Sequence, residues 1–299
     1  MRILLTGASG LIGQAVHRNL SLDNEVITLG RSSRADVRLD LADVDGLNSV
    51  ALPAADALVH CAGIVDEDFR EDPVRAARMA MFGAGALARQ AVAAGATRLA
   101  YISSAHVYGP MLGHIDERSP PNPVSDYAIS HYATEQVFRR YAQGAVTAAA
   151  FRPCAVFGNL GDLDAFRRWT LIPFSFPREA VLDRRIVIRS TGQQRRNFVG
   201  TDDVADSVRR WLDAPSSVWQ VINPVGATSC TVFEFAQRCA AISDELATRR
   251  CIVERQEPNG PQAGDDFEYA STLQPTTARQ SIDDFARRLM GQLLLKAVL

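Results

Sequence analysis

Three glycines spaced three residues apart are the first residues whose types and spacing suit a defined chemistry. Gly7, Gly10 and Gly13 lie in the segment TGASGLIG, between the apolar strand pattern RILLT and a helical pattern that begins at Leu11. A dinucleotide-binding turn needs a tight bend at the first glycine, close approach of a pyrophosphate at the second and close helix–strand packing at the third. We therefore predict that a dinucleotide cofactor binds here. The other residues expected to line the turn are Ser9, Leu11 and Ile12.

The end of the second strand pattern, EVITLG, carries residues that bear on the choice of cofactor. A protein that binds NAD usually has an acidic residue there, which accepts hydrogen bonds from the ribose hydroxyls. This chain has Arg31 and Ser32 instead. These side chains could hold a 2′-phosphate, which slightly favours NADP over NAD. The alternative is that Arg31 is a solvated loop residue.

Five further segments, in order along the chain, resemble motifs of one enzyme family. They are HCAG (60–63), ISSAHVYG (102–109), DYAISHYATEQ (126–136), FRPCAVFGN (151–159) and RRNFVGTDDVA (195–205). With the glycine turn, they make the chain similar to the extended short-chain dehydrogenase/reductases, in the branch of NAD-dependent epimerases and dehydratases. The resemblance implies a nicotinamide cofactor. The further cofactor contacts it implies are Asp40, Leu41, Cys61, Ala62, Gly63, Tyr127, His131 and Pro153.

The same resemblance implies a set of catalytic side chains. Ser104 would polarise the substrate oxygen and Tyr127 would exchange its proton, since hydride transfer at carbon requires a group that handles the proton of the attached oxygen. The family has a lysine four residues after the tyrosine, which lowers the tyrosine pKa and holds the nicotinamide ribose. This chain has His131, which is mostly neutral at pH 7 if its pKa is the usual value of about 6.5. Ala80 is a second departure, where the family often has asparagine.

His106 stands where related sugar-nucleotide enzymes carry a glutamate or a cysteine that handles a proton on the sugar ring. It could act as an acid or base, or bind a substrate hydroxyl. A packed histidine without a catalytic role is an equally good interpretation. Because Ala105 precedes it, the paired acids of a 4,6-dehydratase are absent, which disfavours dehydration.

Two further residues are expected to bind substrate. Arg196 matches an arginine that holds the diphosphate in sugar-nucleotide members of the family, and its forked guanidinium suits that group. Asn159 ends the FRPCAVFGN segment. A later diphosphate-binding element is not intact, since its nearest match has Gln262 and Ala263 and no arginine. Arginines that could add to a basic cleft, or lie on the surface, are Arg152, Arg167, Arg168 and Arg195.

The elements that must position these residues follow an alternating pattern. The buried-strand patterns RILLT, EVITL, DALVHC and RLAYISS are separated by helical stretches. This predicts an α/β fold: a Rossmann-type doubly wound parallel sheet with a smaller C-terminal α/β substrate lobe. A crossover helix is expected from Asp72 to Gly95, and a helix that carries the tyrosine from Ser125 to Tyr141.

After Pro153 the composition changes, with Phe, Trp, Pro and Arg clustered together, and this change predicts the domain boundaries. Residues 1–153 are expected to form the NAD(P)-binding domain, rejoined by about 186–214. The substrate-binding lobe is expected to comprise 154–185 and 215–299.

Composition excludes some classes of partner. The formal net charge is −2, so no global basic surplus favours nucleic acid or an anionic membrane. Five cysteines without a C-x-x-C pair suit reduced thiols, and no apolar stretch is long enough for a membrane span, so we expect a cytoplasmic protein. No residues have metal-ligand spacing, and no metal is expected.

Together these patterns predict an NAD(P)-dependent oxidoreductase or epimerase that acts on a carbinol or keto carbon. The expected substrate is a nucleotide-linked sugar, altered by 4-keto reduction or by epimerisation. One alternative is a cofactor-binding protein of the same fold with weak or no turnover, such as a regulator or an inactive partner subunit. The other is a reductase of a small non-nucleotide carbonyl. The resemblance also implies a homodimer formed through the crossover helix and the tyrosine helix.

Overall fold

The computed structural model describes residues 1–214, 217–247, 249–255, 267–276 and 279–298. Its strands are β1 (Arg2–Thr6), β2 (Glu25–Gly30), β3 (Val37–Arg38), β4 (Ala57–His60), β5 (Arg98–Ile102), β6 (His114–Ile115), β7 (Thr147–Phe151), β8 (Ala155–Phe157), β9 (Arg185–Ile188), β10 (Arg195–Gly200), β11 (Trp219–Ile222), β12 (Thr228–Thr231), β13 (Ile252–Arg255) and β14 (Glu268–Tyr269). Its α-helices are α1 (Leu11–Leu20), α2 (Val44–Ser49), α3 (Asp66–Glu71), α4 (Pro73–Arg78), α5 (Ala84–Ala93), α6 (Asp126–Tyr141), α7 (Ile172–Leu182), α8 (Thr201–Asp213), α9 (Val232–Leu246) and α10 (Ile282–Val298). A π-helical turn covers Met79–Gly83, and a 3₁₀ turn covers Ala105–Tyr108.

Seven parallel strands form the large sheet, in the order β11-β7-β5-β4-β1-β2-β3. The central strands are uninterrupted apolar runs because helices cover both faces of the sheet. The α/β fold with a Rossmann-type sheet is thus confirmed. After β3 the chain crosses to β4, on the other side of β1. Such a switch opens a crevice at the carboxyl ends of β1 and β4, where ligands bind in sheets of this kind.

Alternate side chains of the strands pack into two separate cores, one on each face of the large sheet. Ile3 and Leu5 of β1 pack with α1 and α8, where Val208 is fully buried. Leu4, between them in sequence, packs on the opposite face against α5 and α6, where Phe138 is fully buried. The helix that carries Tyr127 is therefore fixed to the same sheet as the glycine turn.

The crossover between β4 and β5 is more irregular than the sequence predicts. Where one helix was expected from Asp72 to Gly95, the structure has α4 and α5 joined by the π-helical turn. The Thr134 hydroxyl on α6 donates a hydrogen bond of 2.7 Å to the Ala80 carbonyl oxygen in this turn. A neighbouring helix thus satisfies a carbonyl of the turn, an interaction that hydrophobic spacing does not reveal.

A smaller lobe packs around its own apolar core. It contains the three-stranded sheet β12-β10-β8, the pair β13-β9 and the helices α7, α9 and α10. Fully buried phenylalanines at its centre include Phe174, Phe198 and Phe235.

The chain returns to the large sheet differently from the prediction. Of the expected return at about 186–214, α8 packs on the large sheet, but β9 pairs with β13 and β10 pairs with β8 and β12. In contrast, β11 was expected in the substrate lobe and instead pairs in parallel with β7. As the edge strand, β11 is only partly buried, so its pattern does not distinguish it from a strand of the smaller lobe.

Among the described residues, no helix has both the length and the apolar character needed to cross a bilayer. Nor does this part of the chain hold three or more His, Cys, Asp or Glu side chains close enough to bind one metal ion.

Candidate active site

The glycine turn lies at the carboxyl end of β1, beside the turn that follows β4. Gly7 has a φ of +70°, and a Cβ added there would lie 2.6 Å from the Ala62 backbone nitrogen. A Cβ on Gly13 would lie 1.9 Å from the Gly7 carbonyl oxygen. Both positions therefore require glycine, the first for its conformation and both for close backbone contact.

The start of α1 has the features of an anion-binding helix terminus. Gly10 is the N-cap residue and provides no side-chain acceptor for the first N–H groups of the helix. These N–H groups, which include those of Leu11 and Ile12, point out of the helix end and are free to bind a phosphate. The residues present thus fit the pyrophosphate of a dinucleotide.

A cavity of about 380 Å³ lies at the edge of the large sheet, at the ends of β2 and β3. Arg31, Arg38 and Asp40 line it. The Asp40 carboxylate forms an ion pair of 3.0 Å with Arg75 of α4, and Arg31 and Arg38 are the positively charged residues among those that line the cavity. Ser32 is exposed nearby, whereas Leu41 is buried in the core and lies behind this surface.

Ser104 and Tyr127 converge at the carboxyl end of β5. Ser104 caps the 3₁₀ turn, and Tyr127 lies in the first turn of α6, which Ser125 caps. Burial raises the pKa of the Tyr127 hydroxyl, and interactions with Ser104 and with the Arg168 cation oppose that shift. The predicted pair of a proton-exchanging tyrosine and a neighbouring serine is therefore compatible with the geometry.

His131 lies one helical turn after Tyr127, with the two ring centres 4.4 Å apart. Its Nδ1 atom is 2.7 Å from the Tyr101 hydroxyl, and its Nε2 atom is buried with no hydrogen-bond partner among the described residues. Burial lowers the pKa of His131 to about 3, so the ring is neutral near pH 7. Its Cε1 atom packs beneath Gly63, 3.3 Å from where a Cβ on that glycine would be. His131 therefore contributes no positive charge beside Tyr127.

His106 also lies beside Tyr127, on the 3₁₀ turn, where it is exposed. The two rings meet edge to face with their centres 5.9 Å apart. Desolvation lowers the pKa of His106, and the cations of Arg196 and Arg168 lower it further, whereas Asp66 raises it. A neutral imidazole beside the tyrosine can accept a proton or a hydrogen bond from a substrate hydroxyl.

A buried ion pair holds the elements that carry these side chains together. Glu135, two turns after Tyr127 on α6, binds the Arg152 guanidinium at 2.9 and 2.6 Å and accepts a hydrogen bond from Ser103. The Arg152 guanidinium also stacks 4.5 Å from the Tyr108 ring. From the sequence, Arg152 was one of the arginines that could line a basic cleft. The structure instead buries it in the interior. The network fixes the turn that carries Ser104 relative to α6.

The remaining predicted residues are less closely grouped. Arg196 lies on β10, where its guanidinium donates a hydrogen bond to the Arg195 carbonyl oxygen, and its charge lowers the pKa of His106. Pro153 is buried, and its carbonyl accepts a hydrogen bond of 3.0 Å from the Ala105 N–H. Asn159 is exposed after β8, and Cys61 and Ala62 lie against Gly7. Gln262 and Ala263 lie outside the described residues.

Sequence reasoning missed two residues at the site. Tyr101 was assigned only to a buried strand, although a tyrosine in such a strand needs a hydrogen-bond partner for its hydroxyl. Asp66, at the start of α3, acts on both His106 and Tyr127. No motif marks Asp66, because α3 belongs to the irregular crossover.

The chain is similar in sequence to several well-described proteins. A model of the NAD dependent epimerase/dehydratase family matches residues 3–223. Methionine adenosyltransferase 2 subunit beta from Danio rerio is 30% identical over 54% of this chain and 50% of that protein. UDP-glucose 4-epimerase from Vibrio cholerae is 24% identical over 73% of this chain and 69% of that protein. The chain spans about half the length of the curated relatives that it matches first.

Solved structures share the fold along the whole chain. UDP-glucose 4-epimerase from Thermotoga maritima, solved with UDP-glucose, superposes with a TM-score of 0.77 at 19% identity and covers 100% of both chains. RMD from Pseudomonas aeruginosa, complexed with NADPH, gives a TM-score of 0.75 at 21% identity and covers 99% of both chains. Together with the family model, which matches most of the sequence, these findings confirm the resemblance: the chain belongs to the NAD-dependent epimerase/dehydratase family.

Proposed function

We propose that this protein binds a nicotinamide dinucleotide and catalyses reversible hydride transfer at a carbinol or keto carbon of a nucleotide-linked sugar. The observation that carries the proposal is the convergence of Ser104 and Tyr127 at the carboxyl edge of the sheet that bears the glycine turn. UDP-glucose 4-epimerases among the relatives support a sugar nucleotide as substrate. The outcome would be 4-keto reduction or epimerisation.

The roles of the side chains follow from their chemistry. When bound, the nicotinamide would supply or accept the hydride. Tyr127 would give its hydroxyl proton to the substrate oxygen during reduction and take it back during oxidation, while Ser104 holds that oxygen by a hydrogen bond. His106 would bind a ring hydroxyl or handle a second proton, and the Arg196 guanidinium would hold the diphosphate. The Nε2 atom of His131, which has no hydrogen-bond partner among the described residues, is the group that would contact the nicotinamide ribose.

NADP is the cofactor that we propose in preference to NAD. Arg31 and Arg38 face one cavity at the end of β2, where the 2′ position of the adenosine ribose would lie. Ser32, which follows Arg31 in the chain, is exposed and would add a hydroxyl. Two guanidinium groups favour a phosphate over a hydroxyl because charge-assisted hydrogen bonds are the stronger ones.

A homodimer through the two long helices is the assembly that we propose. The α5 and α6 region exposes apolar side chains, with Phe82 63% and Ile129 52% exposed. Burial of such side chains against a second copy would stabilise the pair. Light scattering coupled to gel filtration should give twice the chain mass, and Phe82→Glu should give the chain mass if the helices form the interface.

The experiment that tests the function begins with fluorescence titration of NADH and NADPH. The dinucleotide-loaded protein is then given a panel of UDP-, GDP- and dTDP-sugars, with reduced-nicotinamide absorbance and product composition both measured. Absorbance change with one sugar indicates a reductase, and a new sugar without net absorbance change indicates an epimerase. Turnover that no nucleoside diphosphate inhibits would overturn the sugar-nucleotide assignment.

A second candidate function is cofactor binding without turnover, as in a regulator or an inactive partner subunit. The observation that favours it is the neutral, buried His131 where the family pattern has a lysine. The likeness to methionine adenosyltransferase 2 subunit beta, which is named as an enzyme subunit, points the same way. Tight dinucleotide binding with no new product from any sugar would select this candidate.

A further inference from the structure

One ring nitrogen of His131 is hydrogen-bonded within the fold, and the other is left for a ligand. Nδ1 lies 2.7 Å from the Tyr101 hydroxyl, whereas Nε2 is buried and has no hydrogen-bond partner among the described residues. A neutral imidazole carries its proton on one nitrogen and a lone pair on the other. The tautomer of His131 therefore decides whether Nε2 offers a ligand a proton or a lone pair.

The His131–Tyr101 pair holds two protons near pH 7. Burial lowers the pKa of His131 to about 3, so the imidazole is neutral and carries one proton. Burial also raises the pKa of the Tyr101 hydroxyl well above its usual value, so the phenol keeps its proton. Two arrangements satisfy these protonation states. Either Tyr101 donates to Nδ1 and the imidazole proton is on Nε2, or Nδ1–H donates to Tyr101 and the phenol proton needs another acceptor.

The number of unpaired groups favours donation by Tyr101. In that arrangement the phenol proton is paired with Nδ1, and only the Nε2–H group lacks a partner in the described part of the chain. In the opposite arrangement Nε2 is still unpaired, and the phenol proton no longer points along the 2.7 Å contact. A buried donor without an acceptor is costly, because the desolvation of the group is not compensated.

Thr134, one turn after His131 on α6, is the other side chain whose oxygen could take the phenol proton of Tyr101. The Thr134 hydroxyl directs its own proton to carbonyl oxygens, with Ala80 at 2.7 Å and Ser130 at 2.9 Å. It thus serves the π-helical turn and its own helix. The short contact of the Tyr101 hydroxyl is with Nδ1 of His131, which is therefore the favoured acceptor.

Nε2 lies beneath Gly63, in the turn after β4 that borders the glycine turn. A Cβ on Gly63 would be 3.3 Å from Cε1 and 3.8 Å from Nε2 of His131. The imidazole is also held from two sides, because Tyr101 stacks on it with ring centres 5.8 Å apart and Tyr127 meets it edge to face at 4.4 Å. The free nitrogen therefore has a fixed place at the wall of the proposed cofactor crevice.

We propose that Tyr101 is a positioning residue: it donates its hydroxyl proton to Nδ1 of His131 and thereby places the imidazole proton on Nε2, which donates it in a hydrogen bond to a hydroxyl oxygen of the nicotinamide ribose. The inference rests on the proposed function, which brings that ribose to His131. A lysine at position 131 would donate as a cation, whereas the Tyr101–His131 pair supplies a neutral donor. A cofactor contact thus depends on a strand hydroxyl that does not itself touch the cofactor.

The test identifies the protonated nitrogen of His131 directly, without cofactor or substrate. The complete chain is prepared with ¹³C,¹⁵N-labelled histidine, and its five histidines are observed by magic-angle-spinning NMR, which separates protonated from unprotonated ring nitrogens. The spectrum of His131→Leu identifies the signals of His131. The parent protein should have an unprotonated Nδ1 and a protonated Nε2. A protonated Nδ1 would overturn the proposal.

Tyr101→Phe removes the donor and keeps the aromatic ring. The ¹⁵N signal of Nδ1 in His131 should then shift, because that nitrogen no longer accepts a hydrogen bond. Tyr132→Phe removes a hydroxyl from the residue next to His131 and is the matched control, which should leave the signal in place. An unchanged Nδ1 signal in Tyr101→Phe, or the same shift in Tyr132→Phe, would contradict donation by the Tyr101 hydroxyl.

NADPH binding shows whether Tyr101 acts through His131. Tyr101→Phe should weaken NADPH binding about 3- to 10-fold in the parent background and should weaken it no further in a His131→Leu background. An equal loss in both backgrounds would mean that the hydroxyl acts on binding by another route, which overturns the proposal. A protein that has the expected tautomer and binds no dinucleotide would refute the proposed function instead, so the two failures are distinguishable.

Discussion

The Tyr101 hydroxyl and the Nδ1 atom of His131 form a buried hydrogen bond of 2.7 Å that joins β5 to α6. The two rings also stack, with centres 5.8 Å apart. Since Nδ1 is engaged, the orientation of the imidazole is fixed, and Nε2 is the nitrogen left for a ligand. The residue that replaces the lysine of the family pattern is therefore held by a partner on the neighbouring strand.

Removal of that partner should destabilise the protein. Tyr101→Phe leaves Nδ1 of His131 buried without a hydrogen bond, and such a loss costs about 1–3 kcal/mol. Urea unfolding should show this decrease in the free energy of unfolding. Tyr132→Phe, on the partly exposed side of the same helix, is the control and should have a much smaller effect. Equal stability of Tyr101→Phe and the parent protein would show that the bond does not hold His131.

The glycine turn should tolerate no side chain at position 13. In Gly13→Ala the new Cβ would lie 1.9 Å from the Gly7 carbonyl oxygen, so α1 must move away from β1. We expect dinucleotide binding to be lost, as measured by fluorescence titration. Gly291→Ala in α10, where the new Cβ would have no described atom from outside its own helix within 4 Å, should keep full binding and gain up to about 1 kcal/mol in stability. If Gly13→Ala binds the dinucleotide with normal affinity, the glycine turn is not part of the cofactor site.

Much of this turn and its sheet was accessible from the sequence. The glycines, the buried strands β1, β4 and β5 and the helix α6 each leave a local pattern, because the turn and the double burial restrict residue types directly. Ser104 and Tyr127 were assigned from the resemblance to the family motifs, and they lie just after β5 and in the first turn of α6.

Other parts of the site could not be read from local patterns. The Tyr101–His131 bond depends on how α6 packs on β5. The π-helical turn and the pairing of β11 with β7 are likewise set by neighbouring elements. Tertiary contacts of this kind have no signature in residue spacing.

The preference for NADPH over NADH should depend on Arg31 and not on the nearby Arg34. Arg31→Ala removes a guanidinium from the cavity at the ends of β2 and β3, so NADPH should bind about 10-fold or more weakly while NADH is little affected. Arg34→Ala is the matched control, because Arg34 is an exposed arginine of the same loop that does not line the cavity. Fluorescence titrations of both dinucleotides provide the measurement. A parallel loss for NADH and NADPH would contradict recognition of the 2′-phosphate.

The stability of the protein should fall in mildly acidic solution because of its buried neutral histidines. Burial lowers the pKa of His60 to about 4 and that of His131 to about 3, below the unfolded value of about 6.5. Between these values the unfolded chain binds more protons than the folded protein, so the free energy of unfolding rises with pH. This contribution is complete above about pH 6.5 and is lost as the pH falls through the folded pKa values.

The slope of stability with pH between about pH 5 and pH 6 measures this effect. His60→Asn should reduce the slope by up to about 1.4 kcal/mol per pH unit. His114→Asn is the control and should leave the slope in this window nearly unchanged, because the hydrogen bond with Glu268 raises the pKa of His114 and its contribution therefore changes with pH only above about pH 6.5. Urea unfolding at several pH values gives the slopes. The same slope in His60→Asn and the parent would mean that His60 takes up its proton in the folded state.

The most direct test of the central claim compares Tyr127→Phe with the parent protein. Both proteins are loaded with NADPH or NADP and given the panel of nucleotide-sugars, and both absorbance and products are recorded. The account predicts that Tyr127→Phe binds the dinucleotide with unchanged affinity and converts the sugar at a rate at least about 10²-fold lower. Full conversion by Tyr127→Phe, or no conversion by the parent protein despite tight dinucleotide binding, would contradict the assignment of Tyr127 as the proton-exchanging residue of an active enzyme.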